Sequence, residues 1–96
     1  MNTTAIEQLA YISVAQVVQD VGSEGRGLPP GCQGRLSAAI DRLRMVAAPA
    51  EHILIANDMS LKMHLLEGAI RQRDEAAAAD LRGSIQALGA QWVVPA

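Results

Sequence analysis

The chain holds a single cysteine, Cys32, whose thiol is its best candidate for nucleophilic chemistry. It lies near the end of the glycine-rich segment GSEGRGLPPGCQG, residues 22–34, close to Arg35 and to the start of a predicted helix. A helix N-terminus and a neighbouring guanidinium both favour the reactive thiolate. A cysteine enzyme also needs a base, and no motif ties His52 or His64 to Cys32. We therefore expect no catalytic residue and no enzymatic activity, and a redox-sensitive or dimer-linking thiol and an ordinary loop residue stay open.

The same glycine-rich segment has the residue types that could hold an anion. Backbone N–H groups at a helix start, together with the guanidinium groups of Arg26 and Arg35, attract phosphate or carboxylate, and Gly31 and Gly34 permit close approach. The phosphate-loop pattern GxxxxGK[ST] is absent, because Gly34 is followed by Arg35 and Leu36. Binding of an anionic small ligand such as a nucleotide is therefore our second hypothesis, beside a simple hinge between two helices.

Histidine and carboxylate side chains do not predict a metal site. His52 and His64 are twelve positions apart, a spacing that matches no familiar ligand pattern, even with Glu51 or Asp58 as further ligands. Acidic residues between 74 and 80 belong to a helix start, where they stabilise the helix dipole. We expect neither a metal nor another cofactor.

The elements that must position these residues are helices. Apolar residues recur at helical spacing through most of the chain, and no segment shows a partner for a β-strand. We predict a single all-α domain over residues 1–96, a small bundle of three to four helices whose last two form an antiparallel hairpin. The predicted helices span about 5–21, 34–47, 51–72 and 74–92, with a glycine-rich loop over 22–34.

The first helix is predicted to start at a capping box made by Thr4 and Glu7 and to stop at Gly22. Pro49 is predicted to end the second helix, because the residue before a proline is pushed out of helical geometry. The first helix is expected to carry one broad apolar arc, wide enough to touch more than one neighbour. It is formed by Ile6, Leu9, Ala10, Val14, Val17 and Val21, with Tyr11 and Val18 at its edge.

The apolar stripe between Met59 and Trp92 lapses for one turn after Ile70, and Asp74 there is a good N-cap for the segment EAAAADLR. A chain that folds back at this point pairs residues whose numbers sum to 147, such as Ile70 with Ala77. The alternative is one long helix, since no glycine or proline enforces a break. The segment LLEGAIRQRDEAAAADLRGSI resembles the helical hairpins of repeat proteins and of the ligand-binding domains of GntR-type regulators. This resemblance implies a turn at the aspartate and no function.

Charge and hydropathy exclude several classes of partner. The net charge is −2, and Tyr11 and Trp92 are the only aromatic residues, whereas nucleic-acid binding needs a broad basic face and stacking platforms. We do not expect nucleic-acid binding, although DNA contact by the second helix stays a third hypothesis, through Arg35, Arg42 and Arg44. The N-terminal apolar stretch lacks a preceding Lys or Arg and carries polar residues, so we expect no signal peptide and no membrane span.

Apolar helix surface exceeds what so small a domain is expected to cover by itself. We expect it to form contacts with a second copy or with a protein partner, because Met and Trp are enriched at interfaces. A compact bundle could also bury all of these side chains. Our first functional hypothesis is a non-enzymatic regulator, adaptor or inhibitor in the cytoplasm of a bacterium or of a phage-infected cell. The predicted interface residues are Tyr11, Ile12, Val18, Met59, Met63 and Trp92.

Overall fold

A computed structural model describes residues 4–23 and 31–94, and these two ranges hold four α-helices and no strand. Helix α1 spans Thr4–Ser23, α2 spans Cys32–Met45, α3 spans Ala50–Arg71 and α4 spans Glu75–Ala90. Each helix packs against the next along the chain, and α4 returns to contact α1. The predicted all-α bundle is confirmed. Within the described ranges, no helix combines the length and the hydropathy that crossing a membrane requires.

The helix ends differ from the predicted ones by up to two residues. Helix α1 continues through Gly22 to Ser23, so the predicted stop at Gly22 is wrong. Thr4 is the first residue of α1 rather than the residue before it. The predicted capping box needs the Thr4 side chain, which lies outside the described side chains. Helix α2 begins at Cys32, two residues before the predicted start, which makes the cysteine part of the helix. Arg26 lies outside the described residues.

One continuous apolar core joins the four helices, and no polar or charged side chain is buried among the described residues. Alanine and aliphatic side chains, with two methionines, supply most of this core, in agreement with the shortage of aromatic residues. The largest fully buried side chains are Tyr11, Val14, Val17, Val21, Leu36, Leu43, Met59, Met63, Leu66 and Ile85.

Helix α1 buries only part of its predicted apolar arc. Ile6 and Leu9 are 61% and 53% exposed, whereas Tyr11, expected at the edge, is buried. The neighbouring helices can cover one side of α1 and no more, and the covered side is centred on Ala10, Val14, Val17 and Val21. Ile6 and Leu9 therefore share the predicted arc but not the core, because apolar spacing around most of a helix does not indicate which side its neighbours occupy.

Helix α2 ends at Met45 in a Schellman turn, four residues before the proline that was expected to end it. Ala47 has a φ of 55°, and the N–H of Ala48 donates to the Leu43 carbonyl at 2.9 Å. Pro49 instead is the N-cap residue of α3. The Schellman turn therefore ends α2 before the chain reaches Pro49. Pro49 instead fixes the backbone φ angle at the start of α3.

The break between α3 and α4 is made by residues 72–74, as the hairpin prediction requires. Arg73 has a φ of 57°, and the N–H of Asp74 donates to the Ala69 carbonyl at 2.9 Å, which forms a second Schellman turn. Asp74 Oδ1 then accepts the N–H of Ala77 at 3.1 Å. The predicted N-cap role of Asp74 is confirmed. Helices that pack together across so short a connection are expected to run antiparallel.

Replacing Arg73 by glycine is expected to raise the free energy of unfolding by about 0.5 to 1 kcal/mol. The left-handed conformation of Arg73 is strained for a residue with a Cβ and is unstrained for glycine. Chemical denaturation followed by circular dichroism measures the change. Gln72→Gly is the matched control, because Gln72 has a right-handed φ of −86° and its replacement is expected to destabilise the protein. Equal effects of both substitutions would contradict the strain at Arg73.

Candidate functional site

Cys32 and Arg35 meet at the first turn of α2, where sequence analysis placed a candidate thiol site. The Cys32 thiol is buried, and Arg35 Nη2 donates to its Sγ at 3.6 Å. The same nitrogen lies 2.6 Å from Asp20 Oδ2 of α1. The hydrogen bond to Asp20, followed by the contact with Cys32, raises the pKa of Arg35 above its ordinary value. This cluster therefore ties the start of α2 to the end of α1.

Among the described residues, the printed side-chain contact of the Cys32 thiol is with Arg35, which is not a base. In the described ranges no hydrogen bond joins Cys32 to a histidine; His52 is bound to Tyr11, and His64 is exposed on α3. The thiol is also covered by its neighbours, whereas reactive cysteines are partly accessible.

The predicted anion-binding residues are only partly brought together. Gly31 precedes α2 with a φ of 81°, Gly34 lies in its first turn, and open space surrounds both. Arg35 stands at the same helix end, but its guanidinium is already paired with Asp20. An incoming anion would have to compete with this carboxylate for the arginine. Arg26, the second predicted guanidinium, is outside the ranges that the structure describes.

A second cluster joins Tyr11, His52 and Trp92, which lie far apart in the sequence. The Tyr11 hydroxyl is 2.6 Å from His52 Nδ1, and Trp92 Nε1 donates to the Tyr11 carbonyl at 3.0 Å. The Tyr11 and Trp92 ring centroids are 5.1 Å apart, and the His52 ring stands edge-on to Tyr11 at 5.5 Å. Burial raises the pKa of Tyr11, and the negative charge of Glu7 raises it further.

This aromatic cluster joins three helices and lies away from both surface cavities. A tyrosine hydroxyl and an imidazole are acid–base groups, but Trp92 covers the pair and is itself only 9% exposed. Neither surface cavity described below is lined by any of the three residues. The cluster connects α1, the first turn of α3 and the residue that follows the C-cap of α4. Helical periodicity does not predict this contact, because it carries no information on which distant side chains meet.

Four of the six predicted interface residues are core residues. Tyr11, Met59, Met63 and Trp92 are buried within one chain, so their assignment to an exposed surface is corrected. The reason is that α1, α3 and α4 pack closely enough to cover them without a partner. The two others remain accessible: Val18 is half-buried and Ile12 is exposed.

Exposed apolar surface instead follows the outer side of α3. Leu54, Leu61 and Leu65 are 67%, 57% and 50% exposed, and we refer to them as the α3 leucine face. Beside this face, Lys62 Nζ lies 2.8 Å from Asp58 Oδ1. The three leucines are seven and four positions apart, a helical spacing that the sequence shows. Apolar residues occur on several sides of α3, however, so this spacing alone does not distinguish the exposed stripe from the stripe that faces the core.

A second apolar surface is a groove between α1 and the end of α4. Its volume is about 300 Å³, and its lining is mostly apolar with glutamine at the rim. We refer to it as the α1–α4 groove. Exposed Leu9 lies one turn before Ile12 on the same helix, which extends the surface along α1. The residues that line the groove include Ile12, Gln16, Val18, Gln19, Gly89 and Val94.

A second cavity, of about 650 Å³, lies at the turn between α3 and α4. Its floor is formed by small apolar side chains, including Ala69 and Ala78. Its rim carries charges of both signs, two from arginine and two from acidic residues. The formal charges of these four side chains sum to zero. The rim residues are Arg73, Asp74, Glu75 and Arg82.

Two of the three α2 arginines that could contact DNA already have acidic or polar partners within the chain. Arg35 pairs with Asp20 at 2.6 Å, and Arg44 lies 3.7 Å from Asp41 and 3.4 Å from the side-chain oxygen of Asn57. Acidic partners beside basic side chains weaken the positive field that phosphate binding requires. The geometry therefore gives no support to the third hypothesis.

Metal-ligating side chains are scattered through the chain. Over the described ranges, no three His, Cys, Asp or Glu side chains come together in a group that could hold a metal ion. Comparison with protein-family models, with curated proteins and with solved structures gives no match.

Proposed function

We propose that this protein is a non-enzymatic binding module, a small regulator, adaptor or inhibitor that acts by covering an apolar surface of another macromolecule. A bacterium or one of its phages is the source we propose, and the cytoplasm the compartment. The proposal is supported by one observation above all: large aliphatic side chains are exposed in groups rather than singly. Grouped apolar exposure is typical of interaction surfaces, whereas single exposed leucines are ordinary.

The α1–α4 groove has the form expected of a site for a protein partner. Its lining is apolar, and Leu9 and Ile12 extend the surface along one side of α1. Such a surface fits the apolar face of an amphipathic helix, or a few aliphatic side chains of a partner. The polar groups at its rim, Gln16 and Gln19, are uncharged. Partner binding in the groove is therefore expected to depend only weakly on salt concentration.

Replacing Ile12 by aspartate is expected to abolish partner binding, because a charge in the groove must be desolvated when a partner covers it. The test is affinity capture from a bacterial lysate with the wild-type protein and the variant immobilised side by side. The wild-type protein should retain a defined protein that Ile12→Asp loses. Ala87→Asp, on the exposed side of α4, is the matched control and should retain the same protein. Identical captured proteins for all three chains, or none for the wild type, would contradict the proposal.

Binding of an anionic small ligand is the second candidate function. It is supported by the position of Gly31, Gly34 and Arg35 at one end of α2. It is the weaker candidate, because Asp20 already occupies the guanidinium that the anion would use.

A further inference from the structure

We propose that the α3 leucine face binds a second copy of this chain, with the two α3 helices packed antiparallel about a two-fold axis. The inference rests on the proposed function in one respect, since both assign binding to exposed apolar helix surface. It differs in naming the partner, and it uses a surface separate from the α1–α4 groove.

The α3 leucine face is a narrow stripe that points away from the core. At about 100° per residue, Leu54, Leu61 and Leu65 fall within an arc of about 40°, and their spacing follows the seam of a helix pair. Met59 and Met63 lie on the opposite side of α3 and are fully buried. The stripe is about 16 Å long, at about 1.5 Å per residue. A second helix, laid along it, would cover all three leucines.

The order of the leucines is self-complementary in the antiparallel direction. Leu54 and Leu65 are nearly equidistant from residue 60, so an axis near this position sets Leu54 opposite Leu65 of the second copy. The two Leu61 side chains then meet close to the axis. A two-fold interface requires such self-matching, because the same patch serves both subunits. Leucine therefore meets leucine at both ends and near the middle of the contact.

Charge next to the stripe matches the same arrangement. Asp58 and Lys62 are two residues on either side of position 60, and both lie on one flank of the leucine face. In an antiparallel two-fold pair, equal flanks meet, so each Asp58 faces Lys62 of the second copy. The salt bridge of 2.8 Å within the chain already orients both side chains, which remain partly exposed. In a parallel two-fold pair, unlike flanks meet, so Asp58 and Lys62 would not face their own counterparts.

This charge pattern distinguishes a second copy from an unrelated partner. The rim of the α1–α4 groove carries uncharged glutamines, which specify no orientation and no particular occupant. The α3 leucine face instead has acidic and basic groups in an order that its own copy complements. Since the apolar contact is short, we expect a dissociation constant in the range of about 1 to 100 µM.

Charge reversal tests this arrangement directly. The variants Asp58→Lys and Lys62→Asp each place four like charges at the two-fold contact, and each is expected to weaken self-association by at least about tenfold. An equimolar mixture of the two variants places opposite charges face to face again and is expected to dimerise. Sedimentation velocity from about 1 µM to about 1 mM measures all three samples and the wild type.

The outcomes separate the possibilities. A wild-type protein that stays monomeric throughout, single variants that dimerise as well as the wild type, or a mixture that stays monomeric would each overturn the inference. Leu61→Asp should also give a folded monomer, because Leu61 is exposed, and circular dichroism verifies the fold. Ile12→Asp is the matched control and should still dimerise. If the wild type is monomeric while Ile12→Asp still loses a captured protein, this inference fails and the proposed function stands. If the wild type dimerises but captures no protein, the proposed function fails and this inference stands.

Discussion

Replacing Trp92 by alanine is expected to lower the free energy of unfolding by about 3 to 5 kcal/mol, the range found for large buried aromatic side chains. Trp92 is 9% exposed, and its indole ring packs against the Tyr11 ring at a centroid distance of 5.1 Å. The substitution also removes the hydrogen bond from Trp92 Nε1 to the Tyr11 carbonyl. Urea denaturation should be followed by far-ultraviolet circular dichroism, since the variant lacks the only tryptophan.

Two further substitutions separate the contributions of the indole. Trp92→Phe keeps an aromatic ring in the cluster and loses the hydrogen bond, so it should be destabilised by less than the alanine variant; the lost bond itself is worth about 1 kcal/mol. Val93→Ala changes a neighbour that is largely exposed and should stay within about 0.5 kcal/mol of the wild type. A Trp92→Ala variant as stable as Val93→Ala would show that the aromatic cluster does not hold the helices together.

The effect of Trp92 is large because three helices depend on one side chain that lies beyond the last of them. The indole contacts Tyr11 of α1 and stands 6.1 Å from the His52 ring in the first turn of α3. Its own backbone N–H donates to the Gly89 carbonyl at 3.0 Å, which fixes the indole close to the end of α4. The protein is small, and a domain of this size buries a limited share of its surface, so one such contact is a large part of its stability.

Local features of the fold could be predicted from the sequence, because they depend on residues a few positions apart. Asp74 was identified as an N-cap from its place before a strongly helical segment, and its side chain does accept the N–H of Ala77. The end of α2 was misplaced because Ala47 adopts a positive φ, which sequence patterns assign to glycine. The same holds at Arg73, where the break between α3 and α4 occurs without glycine or proline.

Which side of each helix faces the core was harder to predict. Apolar residues surround most of α1, and the neighbouring helices determined that Tyr11 is buried while Ile6 and Leu9 are exposed. The α3 leucine face was not predicted for the same reason, because its leucines have the spacing of core residues in an apolar helix. Conversely, Met59 and Met63 were assigned to an interface and are buried. Periodicity identifies a stripe, but only the packed neighbours determine whether that stripe is covered.

Replacing Gly89 by alanine is expected to lower the free energy of unfolding by about 1 to 3 kcal/mol, the usual cost of an added methyl group in a close contact. A Cβ at Gly89 would lie 2.5 Å from Val18 Cγ1, closer than two carbon atoms can approach. Valine is restricted to few rotamers in a helix, so the methyl group of Val18 cannot easily move away. Close packing of α4 on α1 therefore depends on the missing side chain, and chemical denaturation measures the loss.

Replacing a glycine inside a helix by alanine usually stabilises a protein, whereas Gly89→Ala is expected to destabilise this one. Two control variants separate the clash with Val18 from this general effect. Gly83 lies in the same helix with nothing near the position of an added Cβ, so Gly83→Ala should stabilise the protein by about 0.5 to 1 kcal/mol. Combining Gly89→Ala with Val18→Ala removes the clashing methyl group, and the double variant should be more stable than the sum of the single effects by at least about 1 kcal/mol. A stabilising Gly89→Ala, or strictly additive effects in the double variant, would mean that α1 and α4 are further apart at this point than the contact between Gly89 and Val18 requires.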